Sequence, residues 1–443
     1  MRNRLAALLL VPAAVLAVVL VAGCSAPAGP EPTGNAPVIL AVPADFATIS
    51  DAVDAASEGD TVLVSAGVYR ETVTIDTAGV VLRGQDREDV VIDGEVLRGN
   101  GIVVTAPRVT VQNLTVRNAT QNGVLVTGMH NDEGAPVGGH DGYRPIDPED
   151  LPLLDGFRID HVTASNNGLY GIYAFNASHG AITDSYASGG ADSGIYVGQC
   201  QECGIVVSGN VAERNAVGFE IANAGGDLHV VGNRFAGNRV GATINSDYQE
   251  AYLPQAGATF AGNVVAANAQ SDTPEQAEGG FGIGVGIAGG TDNDVRANLV
   301  VGNPSSGLVV TSSEDLGPIG NRITGNAFEG NGIDTVYAPT ARGVGRGNCW
   351  EGNLLMSSSP AGLEAASPCT APTTVPSGTL PRTTAPDGIP FTDVAAPPPQ
   401  PDLGPLTSPG VPWRGASDVP RIDIDALTVP ESTLLADRAA VTW

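Results

Sequence analysis

Lysine is missing altogether: all 21 basic residues are arginine. That excludes Schiff-base chemistry, a pyridoxal phosphate anchor and the lysine of a phosphate-binding P-loop. Positive charge is also scarce. Against 48 Asp and Glu the formal charge is −27, and two of the arginines, Arg2 and Arg4, sit in the first 23 residues, where there is no acid. A surface this negative excludes nucleic acid, whose phosphates need cationic side chains to release counterions. Three Met and five His speak against metal handling. Aromatics are only 5% while the apolar fraction is 42%, so the chain is globular and built from small and β-branched residues. With 58 Gly and 32 Pro, long helices are excluded over most of the length.

What is there begins with an address. Arg2 and Arg4 precede an apolar stretch from Leu5 to Val21 that ends in small residues before Cys24, the layout of a secretory signal. The string Leu20-Val21-Ala22-Gly23-Cys24 resembles the bacterial lipoprotein signal, which implies cleavage after residue 23 and lipidation of Cys24. The protein is then expected outside the cytoplasmic membrane, held by a lipid, with residues 24–39 as a tether. The other four cysteines predict two disulfides by sequence proximity, Cys200–Cys203 and Cys349–Cys369. The Cys200-x-x-Cys203 spacing lacks a βαβ setting for redox work and a second Cys/His pair for zinc.

A repeat dominates the body. Asn pairs five residues apart recur at 113/118, 210/215, 233/238, 263/268, 298/303, 326/331 and 348/353, and Asp160 and Asp184 are read into the first position of two further units. Gly171, Gly194, Gly218 and Gly241 each open a short strand-like run at a period near 23 residues. Short β segments at that period, separated by Gly/Asn turns, predict a solenoid whose coils close a common core only by stacking. About 12 coils fit between residues 60 and 353, a rod of roughly 60 Å at about 4.8 Å per rung. Ile49, Val53 and Ala56 share one face of a short helix capped by Thr48, which can cover the open end of the first coil.

The strings Thr48-Ile49-Ser50-Asp51-Ala52-Val53, Gly59-Asp60-Thr61-Val62 and Gly67-Val68-Tyr69-Arg70-Glu71 resemble the right-handed parallel β-helix, or pectin-lyase-like, superfamily. The last is similar to the Gly-x-Tyr-x-Glu string of pectin methylesterases, whose catalytic motifs are not found downstream. Ala191-Asp192-Ser193-Gly194-Ile195-Tyr196-Val197-Gly198-Gln199 is similar to a string of bacterial secreted β-helix proteins of unassigned activity. The resemblance implies an all-β, single right-handed parallel β-helix over residues 40–356. After it come Pro/Ser/Thr-rich residues 357–443, a linker or a strap along the rod.

Aligning the coils on the strand-opening glycines turns Ile172, Ile195, Phe219 and Ala242 inward and Tyr173, Tyr196, Glu220 and Thr243 outward. Further along come Gln199, Asn223, Asn245 and Asp247. An exposed ladder of Tyr, carboxylate and amide groups suits a polysaccharide, since tyrosines stack on sugar rings and amides bond hydroxyls. The same ladder also reads as an ordinary solvated face with Tyr packing across strands. An insertion over residues 128–155, carrying His140, Tyr143 and Arg144, is either a loop overhanging this face or a degraded coil. Hydrolysis would need two carboxylates, Glu220 with Asp192 or Asp247. Lyase or epimerase chemistry would need a base such as His140, Tyr143 or Arg144 and a neutraliser such as Ca²⁺. Asp160-His161 faintly resembles a pectate-lyase string without the rest of its signature, and Asp292-Asn293-Asp294 is a Ca²⁺ site or a polar turn. Function is thus expected among a carbohydrate-active enzyme, a non-catalytic glycan binder and an envelope structural protein.

Overall fold

The computed structural model describes residues 36–130, 152–275 and 280–443, and the part from Pro37 to Trp443 forms one unit. Cys24, His140, Tyr143 and Arg144 lie outside the described residues. Every named strand pair is parallel. Eleven strands stack into one sheet, running from Val73–Ile75 to Ser358–Ser359. Twenty more form two ribbons, which merge where Val109–Arg117 and Leu154–Ser165 run unbroken through the corner between them. Each coil thus has three sides, and the molecule is a parallel β-helix.

The glycine register is as read. Ile172 pairs with Ile195, Ile195 with Phe219 and Phe219 with Ala242, and all four are fully buried. Phe219, Phe235 and Phe260 stack inside, with centroids 5.2 and 5.9 Å apart. Val109–Arg117 pairs directly with Leu154–Ser165. These two strands are therefore adjacent rungs, and residues 131–151 of the insertion between them lie outside the described residues.

The asparagine repeat needs a correction of register. Three buried amide ladders run up the corners: 210–233–263–298–326–353, 215–238–268–303–331 and 293–321–348. The pair 348/353 therefore lies one step earlier than 326/331, because Asn353 sits on Asn326, 27 residues away. Asn113, Asn118 and Asp184 do not join. They occupy the preceding corner position, with φ of 58°, 56° and 48°. Leu114, Val162 and Ser185 fill the place below Asn210, and Asp160 lies on the strand, paired with Thr183. One residue of each corner must adopt left-handed backbone, which Gly or Asn tolerates, and the next residue points inward. In the later coils these become Gly-Asn, as at Gly232-Asn233 and Gly262-Asn263.

Within a ladder an amide such as that of Asn263 is fully used. Asn263 donates to Val230 O (2.9 Å) and Asn298 Oδ1 (3.0 Å), while its own Oδ1 accepts from the backbone and side chain of Asn233 (2.9 and 3.0 Å). The glycines that open the next strands are needed here. A Cβ on Gly218 would stand 2.6 Å from Asn238 Nδ2, and one on Gly241 2.6 Å from Asn268 Nδ2.

The ends are capped. The helix Ile49–Ala55 starts at Thr48, whose hydroxyl accepts from Asp51 N, and it buries Ile49, Ala52 and Val53. Glu71, from the string similar to the methylesterases, accepts from Ile49 N, Ser50 N and the Ser50 hydroxyl, so it holds this cap in place. At the far end Leu363 and Val375 cover the last coil, and Cys349–Cys369 ties that segment down; Cys200–Cys203 is the second disulfide.

Residues beyond 376 form a docked strap. It descends from Tyr337 (Gly378), past Thr273 (Ile389) and Asn166 (Val394), to Thr61 at the first coils (Gly410). It then turns back, reaching Arg296 through Asp425 and ending with Ala440 and Val441 on Glu213. Extended Pro-rich chain leaves its carbonyls unbonded, and arginines fork onto them: Arg239 to Pro386, Arg87 to Pro401, Arg83 to Gly404 and Arg234 to Ser432 and Leu434.

Asn263→Ala removes four hydrogen bonds and leaves Asn233 N buried without a partner. A loss on the order of 3 kcal/mol is expected, measured as a fall in the urea midpoint. A change below about 0.5 kcal/mol would show that the ladder does not hold the coils.

Candidate functional site

The outer face of the eleven-stranded sheet reads as two columns of side chains. The first runs Leu125, Tyr173, Tyr196, Glu220, Thr243, Gly286, Val309. The second, two residues on, runs Thr127, Phe175, Gly198, Ala222, Asn245, Ala288, Thr311. The face is aromatic over its early rungs, acidic in the middle and small beyond, and this order divides it into two regions.

Over the early rungs the tyrosines are packed rather than presented. Tyr170, Tyr173 and Tyr196 lie with ring centroids 4.4 to 4.9 Å apart, and Phe175 is 5.2 Å from Tyr173. Met129 and Ala222 complete the cluster. Tyr196 is only 4% exposed, which corrects the expectation of an open stacking platform. The cause is the irregular segment after Asn245, whose Glu250 accepts the Tyr196 hydroxyl. Gln199 and Asn223, expected as ligand groups, are buried and hold that segment down. Gln199 Oε1 accepts from Ala251 N (2.9 Å), and its amide nitrogen contacts Met129 Sδ and Asn176. Asn223 donates to Asp247 O (2.6 Å) and Glu250 O (3.1 Å) and accepts from Asp247 N. Both sit at left-handed corners, φ 52° and 43°, which aim them off the strand face into the covering segment.

Over the later rungs the small residues leave room. A cleft of about 450 Å³ opens there. Glu220, Thr243, Asn245 and Asp247 line it, with Thr311 beyond. Gly286 is its floor: a Cβ there would meet only the Thr243 methyl group, at 4.0 Å. Tyr248, Glu314 and Leu380, the last from the strap, stand at its edges. Of the sequence-derived site residues, Glu220, Asn245 and Asp247 are thus brought together. Asp192 lies on the aromatic side, where it accepts from the Tyr170 hydroxyl (3.3 Å). Glu220 accepts from the Ser193 hydroxyl (2.5 Å).

Glu250 was not singled out in the sequence. Burial drives its carboxyl well above the ordinary range; the Tyr196 bond opposes this, and the nearby Asp247 and Glu220 charges push it further up. Its Oε2 atom is enclosed without a hydrogen-bond partner among the described residues. The result is a carboxyl group biased toward its protonated form between tyrosines and neighbouring carboxylates. Burial also raises Tyr170, Tyr173 and Tyr196, followed by Asp192 at Tyr170 and by Glu250 at the other two, so they remain hydroxyl donors. The sequence marks it only as one member of Ser246–Tyr252, an irregular, acidic and aromatic stretch expected to form the wall opposite the insertion.

Two other polar groups change their reading. In Asp292-Asn293-Asp294 the amide of Asn293 is turned into the ladder, on Gln255 and Asn321, and Asp294 faces Arg296 at 3.6 Å. The three therefore do not converge on a Ca²⁺ ion. Asp160, His161 and Asp184 are close enough to share a metal. Asp160, however, already takes Arg158 (2.8 Å), His161 (3.0 Å) and Thr183 (2.7 Å).

The raised Glu250 makes a stability prediction. The folded state keeps a proton that the unfolded chain releases above about pH 4.3, so this contribution is full below that value and is lost as pH rises through the folded one. Thermal unfolding of the native protein should weaken from pH 5 to pH 8 more than that of Glu250→Gln. Parallel curves would refute a protonated Glu250.

A family model described as right handed beta helix region matches residues 100–265. No curated protein matches the sequence. Among solved structures the chain is similar to the A-module of the mannuronan C-5 epimerase AlgE4 of Azotobacter vinelandii. The identity is 16%, over 70% of this chain and 90% of that one, with a TM-score of 0.45. The Dettilon tailspike protein follows at 14% identity, 73% and 69% coverage and 0.44. Pectate lyase Pel9A stands at 16%, 70% and 72%, and 0.40. These likenesses concern the fold. The family match over residues 100–265 and the three-sided parallel coils together show the fold, a right-handed parallel β-helix.

Proposed function

We propose that this protein is a lipid-anchored β-helix on the outer face of the cytoplasmic membrane that holds a polysaccharide in the cleft over Gly286. One observation carries the reading. Small residues at successive rungs open a groove of about 450 Å³ between walls that carry hydroxyl, amide and carboxylate groups. Rungs recur about every 4.8 Å, so these groups meet a linear chain of hydroxyls at regular intervals, and carboxylates and amides are the usual partners of sugar hydroxyls. Tyr248 and Leu380 supply apolar surface at the rim. The anchor rests on Cys24 and the residues before it.

Catalysis is the second reading, and the pair Glu220 and Asp247, which both line the cleft, favours it. Glycoside hydrolysis uses two carboxyl groups, one giving a proton and another acting as base or nucleophile. For lyase or epimerase chemistry the base falls to His140, Tyr143 or Arg144, with Ca²⁺ neutralising the sugar carboxylate. A chain held without turnover is the alternative.

Gly286 has ordinary backbone, so a side chain there fills the cleft without strain. Gly286→Phe should abolish binding across a polysaccharide panel, assayed with and without Ca²⁺, while leaving the unfolding midpoint unchanged. Undiminished binding by this variant, or no binding by the native protein, refutes the cleft. On any substrate turned over, followed by reducing ends and unsaturated-uronate absorbance, Glu220→Gln should lower the rate at least about 100-fold.

A further inference from the structure

We infer that the cleft selects a cationic glycan, an amino sugar polymer with free amines, over a polyuronate or a neutral chain. The inference deepens the polysaccharide reading and rests on it. Three carboxylates, Glu220, Asp247 and Glu314, line the groove, and none of its described lining residues is basic. Arg342 acts on Asp315 and on Tyr248 at the rim, and it is not among the lining residues. Such a cleft concentrates potential of one sign between low-dielectric walls. A chain of sugar carboxylates would bring like charge against Asp247 and Glu314 with no arginine to offset it, at a cost that rises as water is expelled.

The floor itself carries no charge: Thr243, between Glu220 and Gly286, turns its methyl group toward Gly286. An ammonium on the sugar ring has three donors and would find carboxylates on both sides. The rim tyrosine, Tyr248, donates to Asp315 at 2.6 Å, which leaves its ring as the apolar and cation-attracting surface at the entrance.

The test is calorimetric titration of the mature protein with three size-matched probes: fully de-N-acetylated chitosan oligosaccharide, its N-acetylated counterpart and oligogalacturonate. The amine form should bind at least about tenfold more tightly than the acetylated form, equal to about 1.4 kcal/mol, and the uronate should not bind. Asp247→Asn should remove most of that preference without weakening the acetylated form, while Asp54→Asn, on the exposed side of the cap helix, should change nothing. Equal affinity for the amine and acetylated forms, or preference for the uronate, overturns the inference and leaves the polysaccharide reading standing. If Asp54→Asn weakens the amine form as much as Asp247→Asn does, the whole surface and not the cleft attracts it, and the inference fails. Binding of no probe, with no binding on the wider panel, overturns both.

Discussion

The side-chain amide that caps one coil and receives the next is the constraint on which this molecule depends. A β-helix corner exposes backbone groups to the interior, where each must find a partner. The inward asparagines supply one in both directions. Asn238 donates to Ala212 O below and to Asn268 Oδ1 above, and Asn215 N and Asn215 Nδ2 converge on its own oxygen. An amide alone carries the donor pair and acceptor at that length, so neither Asp nor a hydrophobe substitutes without leaving a group unpaired. The corners are fixed rung by rung, and the outer columns inherit their alignment.

From that alignment the site follows as a matter of size. Where the outer column holds Tyr173 and Tyr196, the covering segment settles on the rings and the face closes. Where it holds Thr243 and Gly286, nothing fills the space and the face opens. The same segment does both jobs: Glu250 seals the tyrosines while Asp247, three residues earlier, lines the cleft. Asn223 holds these two ends through the Asp247 and Glu250 carbonyls, so it is a positioning residue for the wall and not a ligand of the groove.

The parts of this arrangement legible in the sequence are those set by local period. The strand-opening glycines, the inward Ile172 and Ile195, the cap at Thr48 and the two cysteine pairs all follow from spacing. Strand alternation correctly sent Tyr196 outward, but outward is not exposed: what lies over a face is decided by an irregular segment about fifty residues later, and no periodicity encodes it. Asn113 and Asp184 misled for a related reason. A corner has two adjacent positions that both favour Asn or Asp, one for left-handed backbone and one for the ladder, and composition cannot separate them. Glu250 was illegible because its state is set by burial beneath residues distant in sequence.

The strap was legible only as a break in the repeat, yet it bears on the site. Polyproline-like chain has no internal hydrogen bonds and no fixed partner, so its path depends on groups displayed by the coils. Among those groups are arginines, whose several donors reach more than one carbonyl at once. Arg87 spans Val162 O and Pro401 O and also bonds the Thr163 hydroxyl; Arg234 spans Ser432 O and Leu434 O. An exclusively arginine complement of cations thus matches a rod whose longest ligand is its own C-terminal extension. Because Leu380 lines the cleft, that part of the strap bounds the site. The arginines that dock it are committed to peptide carbonyls, and the open groove is left to the carboxylates.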